Sequence, residues 1–251
     1  HNLWIIFNEI YDCVYGIRQS DTSPTPDGIS DIYIIGNLIY DINPADISSY
    51  DPTNPWEEGT GIALWHGESN RHIIDNTIHD VYDGINAIYN GSLEVKGNII
   101  NQIDDNPSNY FFDLSHPARN DLVEMDYNLF VDDYGDRYRS WWPGVDVTDS
   151  LATVQAAGHC QNCEFVQHAD GSSIFVNPTT NPNTKNFRLL PGTAAVQSNV
   201  KNSAYDLFQA RYGLNIYVDF NGNPRPATNS SLGAFEYTTA NFPPSPPTLL
   251  Q

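Results

Sequence analysis

Residues 73–80 read IIDNTIHD, and two earlier stretches nearly repeat them: IIFNEIYD at 5–12 and IIGNLIYD at 34–41. Relaxing the pattern adds VKGNIINQ at 95–102 and MDYNLFVD at 125–132. The aligned asparagines are Asn8, Asn37, Asn76, Asn98 and Asn128, spaced by 29, 39, 22 and 30 residues. The shortest interval is the bare unit. The longer ones are the same unit carrying inserted loops, and insertions of that kind map to one face of a repeat architecture, often the binding face.

Each unit has the same local physics. A short strand of β-branched and aromatic residues comes first. The chain then bends at an x-Asn step, because Asn tolerates the left-handed region and bonds to its neighbouring backbone. A second short strand follows, and a third starts at a Gly-Ile pair: YGIRQ, TGIALW and DGINAI. Three strands per turn, with Asn at one corner and Gly at another, predict an all-β fold, a right-handed parallel β-helix in which stacked asparagines form a ladder. Helical periodicity is weak, which argues against an α-solenoid.

The units occupy residues 1–135. Residues 136–237 read as C-terminal coils and an irregular cap of the same domain, with a short helix over DSLATVQAAG (149–158), and 238–251 as a Pro/Thr-rich tail. The first copy starts at residue 5 with no segment before it to cover a coil end. The expectation is therefore the C-terminal part of a longer protein, or an end buried by self-association.

Composition narrows the function. Thirty-one acidic against 11 basic residues give a formal charge of −20, which repels phosphate backbones and anionic lipid and speaks against nucleic-acid partners. No run of 18 apolar residues exists, so membrane insertion is not expected. Of the three cysteines, Cys160 and Cys163 form a CQNC pair; no second ligand pair stands at zinc spacing, so an inert pair is expected.

The C-terminal half carries a recognisable series: DYNLF, the helix with VQAAG, IFVNP, NFRLLPGTAAV, DFNGNPRP and the closing LGAFEY. Together with the Asn units it resembles secreted right-handed parallel β-helix proteins of bacterial surface and carbohydrate-active systems. The resemblance implies an extracellular protein, secreted or at the cell surface, with a polysaccharide or cell-surface glycan as partner. It does not specify activity, because such proteins include polysaccharide lyases, glycoside hydrolases, epimerases and adhesins.

Aligning the Gly-Ile corners stacks Ile17, Ile62 and Ile85 inward and Arg18, Ala63 and Asn86 outward, with Ser20, Trp65 and Ile88 two positions on. Beside that row lies an insertion with Trp56, Glu57 and Glu58, and TrpHisGlyGlu follows at 65–68. Aromatic faces stack on sugars, carboxylates serve as acid and base, and Arg pairs a uronate carboxylate. Glu57, Glu58 and His66 are the candidate catalytic groups, and Arg18, Trp56 and Trp65 candidate substrate contacts. A second concentration of sugar-binding residue types, in FVDDYGDRYRSWWPG, adds Asp133, Arg137, Arg139, Trp141 and Trp142. The same residues also fit a loop that pins itself to the barrel.

No metal site is assigned. A Ca²⁺ ion is conceivable near Asp75, Asp80 and Asp83, although Asp is common at turns for local reasons. Copper at His1 would need a second histidine that nothing in the sequence brings near. Lys96 reads as a solvated strand residue. Polygalacturonase, pectate-lyase and mannuronan-epimerase motifs are missing in the order those enzymes need. Two classes remain open: a polysaccharide-binding or polysaccharide-cleaving protein, and a non-catalytic adhesin or filament module stacking end to end.

Overall fold

The computed structural model describes residues 2–20, 30–42, 59–65, 69–88, 91–103, 110–114, 123–132, 138–140, 150–167, 172–195 and 199–237. Five successive coils each contribute three strands. They are β1 (Asn2–Ile6), β2 (Glu9–Tyr11) and β3 (Tyr15–Ser20); β4 (Asp31–Ile35), β5 (Leu38–Ile42) and β6 (Thr60–Trp65); β7 (Asn70–Ile74), β8 (Thr77–Val81) and β9 (Asp83–Ile88). β10 (Leu93–Lys96), β11 (Ile99–Ile103) and β12 (Phe112–Leu114) make the fourth coil, and β13 (Val123–Asp126), β14 (Leu129–Asp132) and β15 (Tyr138–Ser140) the fifth. First strands pair only with first strands, second with second and third with third. The result is three sheets of parallel strands, visited in cyclic order.

The corner between the first and second sheets is two residues long in every coil, and the asparagines hold it. Each Asn Nδ2 donates to the next Asn Oδ1: Asn8 to Asn37, Asn37 to Asn76 and Asn76 to Asn98 at 2.9 Å, Asn98 to Asn128 at 3.0 Å. The same oxygens accept the preceding coil's backbone N–H, and Nδ2 also reaches a carbonyl of the preceding coil. One expectation needs correcting. The left-handed residue is not the Asn but the one before it: Phe7, Gly36, Asp75, Gly97 and Tyr127, with φ between 53° and 72°. The Asn stays in a conformation that aims its amide along the stack.

The glycine corner answers to space. A Cβ on Gly61 would lie 2.7 Å from Ile78 Cγ2 and 2.9 Å from the Gly84 carbonyl, so successive coils could not approach. Inside, Ile34, Ile39, Ile62, Ile73, Ile78, Ile85 and their stacked equivalents fill the lumen. Helix α1 (Leu151–Ala156), expected from the sequence, closes the far end with Leu151 and Val154. Strand β16 (Glu164–Gln167) then adds a sixth strand to the second sheet. Cys163 thereby occupies the next ladder position, disulfide-bonded to Cys160.

The rest of the chain, from residue 172, does not stay at the end of the stack. It doubles back along the outside of the coils. Strands β17 (Phe175–Asn177) and β18 (Asn186–Leu189) form an antiparallel pair whose Phe175, Phe187 and Leu189 pack, with Leu232 and Phe235, on Leu38, Tyr40, Ile99 and Leu129 of the second sheet. After β19 (Asn199–Val200), a second helix that was not anticipated, α2 (Ser203–Tyr212), runs over the first sheet. Asn202 caps its N-terminus and Gly213, at φ 72°, ends it. Its Tyr205 and Phe208 join Tyr33, Ile35 and Ile74. The closing β20 (Thr228–Ser230) pairs with β19.

A buried clasp holds this return segment. Arg225 donates to the carbonyls of Val218, Ser231 and Gly233 and lies 3.6 Å from Glu236. Asp219 accepts from the backbone of Asn221, Asn223 and Glu236. These residues are the DFNGNPRP and LGAFEY signatures, so both read physically as fasteners. Tyr205 Oη donates to Asp75 at 2.6 Å, tying α2 to a coil corner.

Candidate functional site

The three sheets differ in what their outer faces offer. On the first and second sheets the outward rows mix apolar residues, among them Ile35 with Ile74 and Leu38 with Ile99, with polar ones such as His72, Glu94 and His79, and the C-terminal segment packs on them. On the third sheet Arg18, Ala63, Asn86 and Asp113 stand in one register row, Arg18 exposed and the other three buried. Connections of variable length border this sheet at both ends. Residues 43–59 and 104–111 enter it, and residues 21–30 and 115–122 leave it, while the opposite corner keeps two residues throughout.

On this face the guanidinium of Arg18 lies 4.4 Å from the Trp65 ring centroid and 4.5 Å from that of Tyr15. Tyr15 meets Trp65 edge to face at 6.1 Å. Trp65 Nε1 donates to Asn86 Oδ1 at 3.1 Å, which fixes the indole across the neighbouring coil. Trp65 keeps only 7% exposure, whereas Arg18 is exposed. The cation is thus the group presented outward, and the two rings are its base. A guanidinium pre-oriented on aromatic faces keeps its planar fork for a carboxylate.

The structure therefore brings Arg18 and Trp65 together. Arg139 takes its place in the same row through its backbone register with Asp113. Trp56, Glu57, Glu58, His66, Asp133, Arg137, Trp141 and Trp142 lie outside the described residues. Sequence reading missed Asp113 and Tyr15 as members of this face. Asp113 is 5% exposed, and its strand, FDL, is too short to reveal a register without its neighbours. Tyr15 was legible as the residue before a Gly-Ile corner.

The acidic turn residues have structural partners. Asp75 and Asp80 adopt left-handed φ, Asp75 accepts from Tyr205, and Asp83 accepts from the Tyr110 backbone at 2.7 Å. Among the described residues no three His, Cys, Asp or Glu side chains are grouped to hold a metal ion. Lys96, read as solvated, is instead in an ion-pair chain on the first sheet, with Glu94 at 3.2 Å and with Glu124. Glu94 further accepts from His72 and Asn202, each at 2.8 Å. Burial opposes its ionisation, but those hydrogen bonds and the Lys96 charge prevail and hold its carboxyl down at about 2. His72 is sandwiched against Tyr33, and Tyr33 against Trp4. These groups are engaged in holding α2 rather than in facing a ligand.

Compared with known protein families, curated proteins and solved structures, the chain matches none. No helix among the described residues is long and apolar enough to cross a membrane.

Proposed function

We propose that this chain is a right-handed parallel β-helix of an extracellular protein and that the outer face of its third sheet binds polysaccharide. The right hand follows from the strong preference of parallel crossovers for that sense. One observation supports the functional reading: the third sheet alone is bordered by every variable-length connection and presents Arg18 on its aromatic base, while the chain's own return segment packs on the other two sheets. Arg18, backed by Trp65 and Tyr15, favours a glycan bearing carboxylates. The candidate acid-base groups Glu57, Glu58 and His66 belong to segments bordering that sheet, which makes cleavage by lysis or hydrolysis the activity to seek. A glycan array of neutral and uronate-containing polysaccharides, followed by product analysis on any that bind, tests this. Retention of uronate polymers supports the reading, and an array without retained glycans refutes it.

A second reading has its own support. Ile5 and Ile10 at the start of the stack are half-buried, where the equivalent Ile34, Ile39, Ile73 and Ile78 are sealed. That end can accept a further coil, and an adhesin or filament module would use it to join chain to chain. Light scattering across a concentration series separates the two, since end-to-end stacking makes mass grow with concentration.

A further inference from the structure

A cleft of about 330 Å³ opens on a different face, where the β17–β18 hairpin and the closing segment meet the second sheet. Its size falls at the lower end of small-molecule sites, roughly 300–1,000 Å³, enough for a single sugar-sized unit and not for a polymer. Leu38, Phe187 and Phe235 form an apolar floor, each under 8% exposed. The half-exposed Phe220, its ring centroid 5.5 Å from that of Phe235, forms part of the wall.

The rim is charged and pre-set. Lys185 Nζ pairs with Glu9 at 2.5 Å, and Tyr40 Oη donates to the same carboxylate at 3.0 Å. Lys185 also donates to the Pro182 carbonyl at 3.2 Å. An ammonium has three donors, so one remains beyond these two among the described residues. Arg188 lines the same cleft, so two basic side chains border it in a protein whose formal charge is −20. Beside it, the ring of Tyr11, 42% exposed, stacks on Tyr40 at 5.0 Å.

We propose that this cleft binds one carboxylated hexose, a hexuronate unit. Its carboxylate meets Lys185 and Arg188, its hydroxyls meet Glu9 and the Asn221 amide, and its apolar C–H face lies on Phe220. The site is separate from the third sheet and stands whether or not that face binds polysaccharide.

Saturation-transfer NMR on the intact protein tests this with three probes: D-galacturonate, D-galactose and acetate. Galacturonate is expected to bind, galactose about tenfold or more weaker, and acetate not to displace the sugar at equal concentration. Arg188→Gln and, independently, Lys185→Gln should each weaken galacturonate binding about tenfold. Far-UV circular dichroism checks that each variant is folded. Arg211→Ala, exposed on α2, should leave it unchanged. Equal binding of galactose, displacement by acetate, no signal from galacturonate, or indifference to both rim variants would each overturn the proposal.

Discussion

The Asn128 amide donates to Sγ of Cys163 at 3.7 Å, and its backbone N–H does so at 3.4 Å, so the asparagine ladder ends on a disulfide sulfur. A sixth asparagine, accepting from Asn128 through its oxygen as the others do, would have turned an amide N–H donor toward the cap. Sulfur, a weak acceptor, closes the series and packs against the apolar lumen.

The ladder makes its central members worth more than its end. Asn76→Ala removes the acceptor of Asn37's backbone and side-chain donors and deprives Asn98 of a donor. Buried unsatisfied groups cost about 1–3 kcal/mol each, so Asn76→Ala should lose about 3 kcal/mol or more in urea unfolding. Asn8→Ala, at the exposed end, should lose about 1 kcal/mol.

Gly61→Ala is a steric test of the other corner. The added methyl meets Ile78 and the Gly84 carbonyl inside contact distance, and backbone cannot step aside as a flexible side chain can. Overpacking of this kind costs about 1–3 kcal/mol. Gly192→Ala is a control: no atom lies within 4 Å of its Cβ, though its φ of 76° carries a strain cost of about 1 kcal/mol. Comparing the two melting curves separates crowding from backbone strain.

Acid should loosen the first sheet through Glu94. Its folded pKa of about 2 lies below the ordinary 4.5, so its contribution is complete above 4.5 and is lost as pH falls toward 2. The full difference is at most about 3 kcal/mol. Glu94→Gln should flatten the stability profile in that window. An unchanged acid limb would place the sensitivity elsewhere.

Arg225 should be the most sensitive position of the return segment. Its side chain is fully buried, donates to three carbonyls and faces Glu236. Arg225→Met leaves a carboxylate buried without its counter-charge, a loss of about 3–5 kcal/mol. Chemical denaturation measures it directly.

Much of the coil architecture was legible because it is local. The Asn positions and Gly-Ile pairs mark backbone geometry, and they set the registers Ile17–Ile62–Ile85 and Arg18–Ala63–Asn86 that the structure contains. The doubling-back of residues 172–237 was not read, because it depends on contacts between segments as distant as Asn202 and Glu94. Two signals were nonetheless present. DIYII and LIYDI are apolar on both faces, which in parallel sheets means both faces are covered. NSAYDLFQARYG carries a helix cap at each end. Of the candidate site, the placing of Arg18 and Trp65 on the third sheet was legible, but not their mutual arrangement. That the indole lies beneath the guanidinium is a packing outcome that residue spacing does not encode.

The most direct measurement is a binding titration of a uronate-containing polysaccharide against the parent protein, Arg18→Ala and Arg211→Ala. Arg211 is exposed on α2, away from the third sheet, and its replacement changes net charge by the same amount. Arg18→Ala should weaken binding about tenfold or more while Arg211→Ala leaves it unchanged. Equal effects of the two substitutions, or no binding by the parent protein, would contradict a glycan site on the third sheet.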